Sequence, residues 1–234
     1  MRTLAVIPAR GGSKGLAVKA LRLLGGRPLL AHTAEAALAS RRVSKVLLST
    51  DDKAIADVGL ALGLDVPFMR PAALAQDDTP MLPVLQHALR AMPGEGFDAV
   101  VLLQPTSPLR EARHIDGALE LFERTGADSV VSVVEVPHQF NPLSVLLVDG
   151  DRARPFSAGP MPTRRQDKPR VFARNGPAVL AVKTGVLEAG SLYGADSRVF
   201  VMSPLESVDI DSQDDLDYAE FLLGRARSAR QPHP

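Results

Sequence analysis

The chain has 234 residues, 45% hydrophobic and 23% charged, which is enough to bury a substantial core and fits one large α/β domain. Its 27 basic and 27 acidic residues cancel, which argues against a protein that coats nucleic acid or a membrane surface. It has no cysteine, excluding disulfides and thiolate chemistry, and no segment of membrane-spanning or secretory-signal character, so a cytoplasmic location is expected.

In chain order, Leu4 to Ile7 is a compact apolar run that reads as a buried strand and opens directly onto Ile7-Pro8-Ala9-Arg10-Gly11-Gly12-Ser13-Lys14-Gly15. Three glycines let the backbone approach an anion, and Arg10 and Lys14 add positive charge beside the converging N–H groups. The stretch reads as a cradle for a triphosphate. It lacks the G-x-G-x-x-G spacing of dinucleotide binders, and Lys14 precedes Gly15 where an NTPase loop needs lysine after glycine. An ordinary tight turn would account for the glycines but gives no reason for the two cations.

Beyond the turn, Val46 to Ser49, Val100 to Leu103 and Ser129 to Val134 are further short apolar runs without polar alternation, as expected of buried parallel strands. Pro28 to Ala39, Asp52 to Leu62, Thr79 to Ala91 and Glu111 to Arg124 carry apolar residues at helical spacing. The alternation predicts a doubly wound, three-layer α/β fold. Leu103-Gln104-Pro105-Thr106-Ser107-Pro108-Leu109-Arg110 follows a strand immediately, and strand C-termini are where open α/β sheets place ligands.

From Pro137 to Arg174, prolines interrupt regular structure and Arg164, Arg165, Lys168, Arg170 and Arg174 cluster, so an irregular excursion is expected there rather than a sheet strand. Strand character resumes at Ala178 to Val182 and Arg198 to Met202, and Gln213 to Leu223 reads as a closing helix. One domain over residues 1–224 is expected, with a frayed, flexible tail at 225–234.

Ser207-Val208-Asp209-Ile210-Asp211-Ser212 alternates acids with apolar residues. On a strand both carboxylates would share one face, a paired-oxygen site suited to Mg²⁺ beside phosphates. Helix capping competes as an explanation of Ser212, Asp214 and Asp215, but leaves the pair Asp209 and Asp211 unexplained. His32, His87, His114 and His233 show no metal-ligand spacing and read as structural or solvated.

Together these segments resemble the acylneuraminate cytidylyltransferase family, which makes CMP-sialic acid and related CMP-activated acids. Besides the glycine turn, the ordered matches are Ser49-Thr50-Asp51-Asp52, Arg70-Pro71-Ala72 with Leu74-Ala75-Gln76-Asp77, Leu103 to Arg110, Arg165-Gln166, Asn175-Gly176 and Asp209-Ile210-Asp211. The resemblance implies a Rossmann-like nucleotidyltransferase fold with a mainly parallel sheet, in which the excursion at about 137–174 is a dimerisation arm reaching the active site of a second copy.

It also implies transfer of CMP from CTP to an acidic acceptor with release of pyrophosphate. By resemblance, Ala9, Arg10, Gly11, Gly12, Ser13, Lys14 and Lys19 hold the nucleotide, with Arg70 assisting, and Asp209 and Asp211 bind Mg²⁺. Gln104, Thr106, Ser107, His138, Arg165 and Asn175 face the acceptor, and Arg10, Lys14, Lys19, Asp209 and Asp211 form the catalytic set.

The chain departs from the family at Ala20, where the loop usually has Asn, at Ser144, where sialic acid enzymes have Lys, and at Val179, where a Tyr is usual. These changes point to a legionaminic- or pseudaminic-type nonulosonic acid in preference to N-acetylneuraminate, with a small phosphonate as the alternative acceptor. A non-catalytic nucleotide sensor and a sugar-nucleotide pyrophosphorylase are the other readings.

Overall fold

The computed structural model of the protein describes residues 1–12, 18–157 and 164–230. Its first half alternates as follows: β1 (Thr3–Pro8), the ribbon β2 (Leu23–Leu24) and β3 (Arg27–Pro28), α1 (Leu29–Leu38), β4 (Lys45–Ser49), α2 (Lys53–Ala61), α3 (Met81–Arg90), β5 (Ala99–Leu102), α4 (Ala112–Thr125) and β6 (Ser129–Glu135). The second half holds the hairpin β7 (Leu146–Asp149) and β8 (Arg152–Pro155), then β9 (Phe172–Arg174), β10 (Leu180–Lys183), α5 (Thr184–Glu188), β11 (Ser197–Met202) and α6 (Gln213–Arg230).

The main sheet runs β11-β6-β10-β5-β1-β4, with β9 also paired to β6. β1 pairs in parallel with β4 and β5, and β11 with β6; β10 and β9 are antiparallel to their neighbours. β1 is buried at every residue, as a central strand with helices on both faces must be. Ile7, Leu48, Val101 and Val130 pack on one face with α1, α2 and α4, and Leu4, Val100, Val131 and Val182 on the other with α3 and α5. This is the expected three-layer α/β sandwich with a mainly parallel sheet. A third apolar cluster fastens α6 through Leu216, Ala219 and Leu222 to Leu24, Leu29, Val208 and Ile210.

Three expectations change. The segment 137–174 contains regular structure: besides the β7–β8 hairpin, β9 adds to the main sheet through the pairs Val133–Arg174, Val134–Ala173 and Glu135–Phe172. The prolines fall outside the paired stretch of β9, so they do not cost it ladder hydrogen bonds. The 207–212 segment is no strand; the Ile210 amide instead donates to the Thr106 carbonyl at 2.8 Å. α6 continues past Gly224 to Arg230, since one glycine within an anchored helix costs only about 1 kcal/mol.

The N-terminus of α4 is tied to the segment that leads to Asp209. Glu111 and His114 form a reciprocal capping box, and Arg113 pairs with Glu111 and Glu206. Burial alone would raise the Glu206 carboxyl, but Ser203, Arg113 and His114 hold it down at about 2. Burial also lowers the pKa of His114 from its usual 6.5, and the neighbouring Arg113 adds to that shift.

Both groups bind protons more weakly folded than unfolded, so their stabilisation is complete above their unfolded pKa values and is lost on acidification. The thermal midpoint is expected to fall as pH drops below 6.5 through the His114 contribution, and further from 4.5 down to about 2, where Glu206 takes up a proton in the unfolded chain but not in the fold. Glu206→Gln should flatten the second limb in a calorimetric pH series; an unchanged limb would remove Glu206 from this brace.

Candidate active site

The C-terminal ends of the parallel strands β1, β4 and β5 lie side by side, because Val6 pairs with Leu47 and Leu102, and the Leu103 amide donates to the Val6 carbonyl at 3.0 Å. Register therefore brings the exits of β1 and β5 to one edge of the sheet. A cavity of about 500 Å³ opens there. Its cations are Arg10, Lys19 and Arg70, its carboxylates Asp209 and Asp211, and its other polar side chains Gln104 and Thr106. Pro8, Ala9, Ala20, Met81, Pro105 and Gly176 complete the lining.

On the nucleotide side, the Gly11 amide donates to Asp51 Oδ1 at 3.2 Å. A Cβ at Gly11 would lie 2.5 Å from Asp52 Oδ2, and Asp52 is the residue whose side chain caps α2 by accepting from the Ile55 amide. Only glycine permits that approach. Arg10 pairs with Asp77 at 2.6 Å. Arg70 is buried, with Nη2 donating to the Ala9 carbonyl at 3.3 Å and lying 3.5 Å from Asp51. Burial lowers the Arg70 pKa and Asp51 opposes that shift. Val18, in the left-handed region at φ 47°, launches the short 3-10 turn that carries Lys19 and Ala20. Ser13 and Lys14 lie outside the described residues.

The carboxylates keep the predicted division of labour without a strand. Val208 and Ile210 are buried against α6, while Asp209 and Asp211 line the cavity. Lys19 Nζ donates to Asp211 Oδ1 at 2.8 Å. Burial raises the pKa of Asp209, which hydrogen bonding from Thr106 and the charge of Lys19 partly offset, while Asp211 adds to the rise. Its Oδ1 is buried and has no hydrogen-bond partner among the described residues. No group of three or more His, Asp or Glu side chains gathers as a metal cluster among them. An orphaned carboxylate oxygen beside one further carboxylate fits Mg²⁺, which takes few protein carboxylates and leaves positions for phosphate. Capping is present as well: the Ser212 amide and hydroxyl donate to Asp215 Oδ2 at 2.8 and 2.7 Å.

The acceptor set divides. Gln104 and Thr106 line the cavity, and Gln104 Nε2 donates to the Gly176 carbonyl at 2.9 Å. Ser107 is wholly buried, because the Pro105–Pro108 turn folds it inward with its amide donating to the Gln104 carbonyl. Asn175 is also buried; it accepts from Ser132 and the Ala178 amide and donates to Ser207, so its polar capacity is spent inside the protein. Neither residue lines the cavity: Asn175 is engaged in internal hydrogen bonds, and the buried Ser107 hydroxyl has no hydrogen-bond partner among the described residues. Val179, read as a lost sugar contact, belongs to the core beneath the sheet. His138 and Arg165 lie on the 137–174 arm and do not line this cavity. Ser144 accepts a hydrogen bond from Lys168 at 2.5 Å.

Sequence reasoning passed over Met81, Gly176 and the acids Asp51 and Asp77 as parts of the site. Met81 carried no signal, since an apolar residue opening a helix reads as core. Gly176 did: at φ 115°, with a Cβ position 3.0 Å from Ser107 Oγ and 3.5 Å from Asp209 Cγ, it is required by both backbone and space. Gly176→Ala is expected to cost about 1–3 kcal/mol of stability by urea titration, through the positive φ and the close approach to Ser107 Oγ. Wild-type stability in the variant would show that glycine is not required there.

A sequence profile of the family described as Cytidylyltransferase matches residues 4–229. The chain is 37% identical over 228 residues to a CMP-N,N'-diacetyllegionaminic acid synthase of Legionella pneumophila subsp. pneumophila, covering 95% of this chain and 97% of that protein. It is 33% identical over 220 residues to an N-acylneuraminate cytidylyltransferase of Streptococcus agalactiae serotype V, covering 92% of this chain but 52% of that longer protein. In fold it is similar to a CMP:2-keto-3-deoxy-manno-octonic acid synthetase solved with CTP, at TM-score 0.73 and 21% identity, covering 97% of this chain and 100% of the other. With the matched profile spanning nearly its whole length, the chain belongs to the cytidylyltransferase family and is an enzyme of nucleotidyl transfer.

Proposed function

We propose that the enzyme transfers CMP from CTP to a nonulosonic acid of legionaminic type and releases pyrophosphate. The observation that carries this reading is the joint lining of one cavity by Arg10, Lys19 and Arg70 on one side and by Asp209 and Asp211 on the other. Full-length similarity to the Legionella synthase supports the choice of acceptor class.

Each cation of the cavity holds a carboxylate partner: Arg10 with Asp77, Lys19 with Asp211, Arg70 with Asp51. Arg10 and Lys19, freed toward the triphosphate, would neutralise its oxygens and orient the α-phosphorus, with Lys14 of the glycine turn assigned the same role. Asp209 and Asp211 would hold Mg²⁺, which supplies charge neutralisation on the phosphates. Gln104 and Thr106 would orient the acceptor, whose oxygen forms the new bond to the α-phosphorus as the bond to pyrophosphate breaks. Catalysis then rests on positioning and preorganised charge. Among the described residues, no histidine lines the cavity and the carboxylates there are Asp209 and Asp211.

The acceptor half of the site is proposed to be completed by a second copy of the chain. His138 and Arg165 belong to the arm, not to the cavity, and the arm exposes large apolar groups: Phe140 at 64%, Val148 at 71% and Phe156 at 59%. Exposed apolar side chains on one segment are suited to burial against a partner. A dimer would carry Arg165, with its planar fork, toward an acceptor carboxylate in the neighbouring site.

Pyrophosphate release with CTP should be measured in parallel for N,N'-diacetyllegionaminate, N-acetylneuraminate and simple phosphonates. The legionaminate should give the highest kcat/KM; preference for a phosphonate would overturn the acceptor class, and no release with any acceptor would favour a nucleotide sensor. Asp209→Asn should lower kcat by about 10²-fold or more while sparing CTP binding, as expected when charge stabilisation of the transition state is removed. Light scattering should give twice the chain mass, shifted to the single mass by Val148→Asp; a monomeric wild type would contradict the shared site.

A further inference from the structure

Arg110 is the most deeply buried cation described, 2% exposed, and no carboxylate pairs with it. Its Nη1 donates to two backbone carbonyls, Gln104 and Ala178, each at 3.1 Å, while Nε and Nη2 have no partner among the described residues. Burial pulls its pKa down to about 9, so it remains a cation at neutral pH. A buried charge without a counter-charge is costly, and a well-packed apolar side chain of similar size would serve stability better. The site gains geometry in exchange.

The two carbonyls lie behind the acceptor side of the cavity. Gln104, just beyond β5, lines it, and Ala178 is buried directly after the Gly176-Pro177 turn whose Gly176 lines it. The same two segments are bridged a second time on the cavity side, where Gln104 Nε2 donates to the Gly176 carbonyl. Arg110 therefore fixes the backbone from which the Gln104 side chain reaches across. Thr106, between Gln104 and Arg110 in the same loop, accepts from the Ile210 amide, which extends the brace toward Asp209.

We infer that Arg110 is a positioning residue: by clamping the Gln104 and Ala178 carbonyls with one guanidinium nitrogen it sets the Gln104 amide for the acceptor and holds that wall in register with Asp209. The inference rests on the proposed acceptor role of Gln104. Lysine reproduces it only in part, because its compact ammonium can donate to both carbonyls but sits on a flexible stem that does not hold it in place.

The test uses the full-length protein with Arg110→Lys and Arg110→Met. The side-chain amide resonances of Gln104, assigned by comparison with Gln104→Ala, report the Gly176 hydrogen bond without any turnover. Both variants are expected to shift them, Met more than Lys, and unchanged resonances would overturn the inference. In kinetics Arg110→Lys should lower kcat/KM for the acceptor by up to about 10²-fold, the scale of an ångström-level misplacement, while CTP dissociation measured by calorimetry stays as in the wild type.

On a Gln104→Ala background the same substitution should cost little further, since both act through one contact. Additive losses, or CTP binding and acceptor use falling together, would make Arg110 a general structural residue and contradict the inference. A wild type that turns over no acceptor would instead refute the proposed function, and the resonance shift would still decide whether Arg110 sets Gln104.

Discussion

One hydrogen bond holds the functional edge of this protein together: the Ile210 amide on the Thr106 carbonyl at 2.8 Å. It joins the loop leaving β5 to a segment more than a hundred residues later that belongs to no strand or helix. Without it, Asp209 and Asp211 would depend on the apolar anchors Val208 and Ile210 alone, which fix a face but not a position along the chain. With it, the carboxylates stand opposite the cations of the β1 exit. The parallel register of β1 with β5 supplies the other half of the constraint, since it brings those two exits to one level.

Charge within the site is balanced by carboxylate–cation pairs. Asp77 and Asp211 hold Arg10 and Lys19, at moderately exposed positions where such pairs contribute little to stability. Weak pairing suits residues that must hand their cations to a polyanion. Asp209 behaves differently: half-buried, with its pKa raised and its buried Oδ1 without a partner among the described residues, it is the group whose desolvation a bound cation would relieve.

Much of this was legible in the residues. Compact apolar runs betrayed the central strands because burial on both faces removes polar alternation, and Arg10 of the glycine turn does line the cavity at the β1 exit. The pairing of Asp209 with Asp211 survived although the segment is not a strand, since alternation of acid and apolar side chains needs only an extended backbone pinned on one side. Direction and depth were less visible. Nothing local distinguishes the antiparallel β10 from its parallel neighbours, because its environment is buried on both faces either way. Ser107 and Asn175 read as ligand contacts because polar residues at a strand exit look alike whether they line a cavity or fold inward; tertiary closure decides. Gly224 looked like an end because the sequence alone cannot show how α6 is anchored by Leu216, Ala219 and Leu222.

The central claim is that one cavity joins the β1 exit to the Asp209 segment around a metal-bound triphosphate. A crystal structure with CTP and Mn²⁺, read by anomalous scattering at the manganese edge, tests it most directly. The account predicts a manganese peak within bonding distance of Asp209 and Asp211, with triphosphate oxygens on Arg10 and Lys19. A nucleotide bound elsewhere, or a metal held by phosphates with both carboxylates turned away, would contradict it.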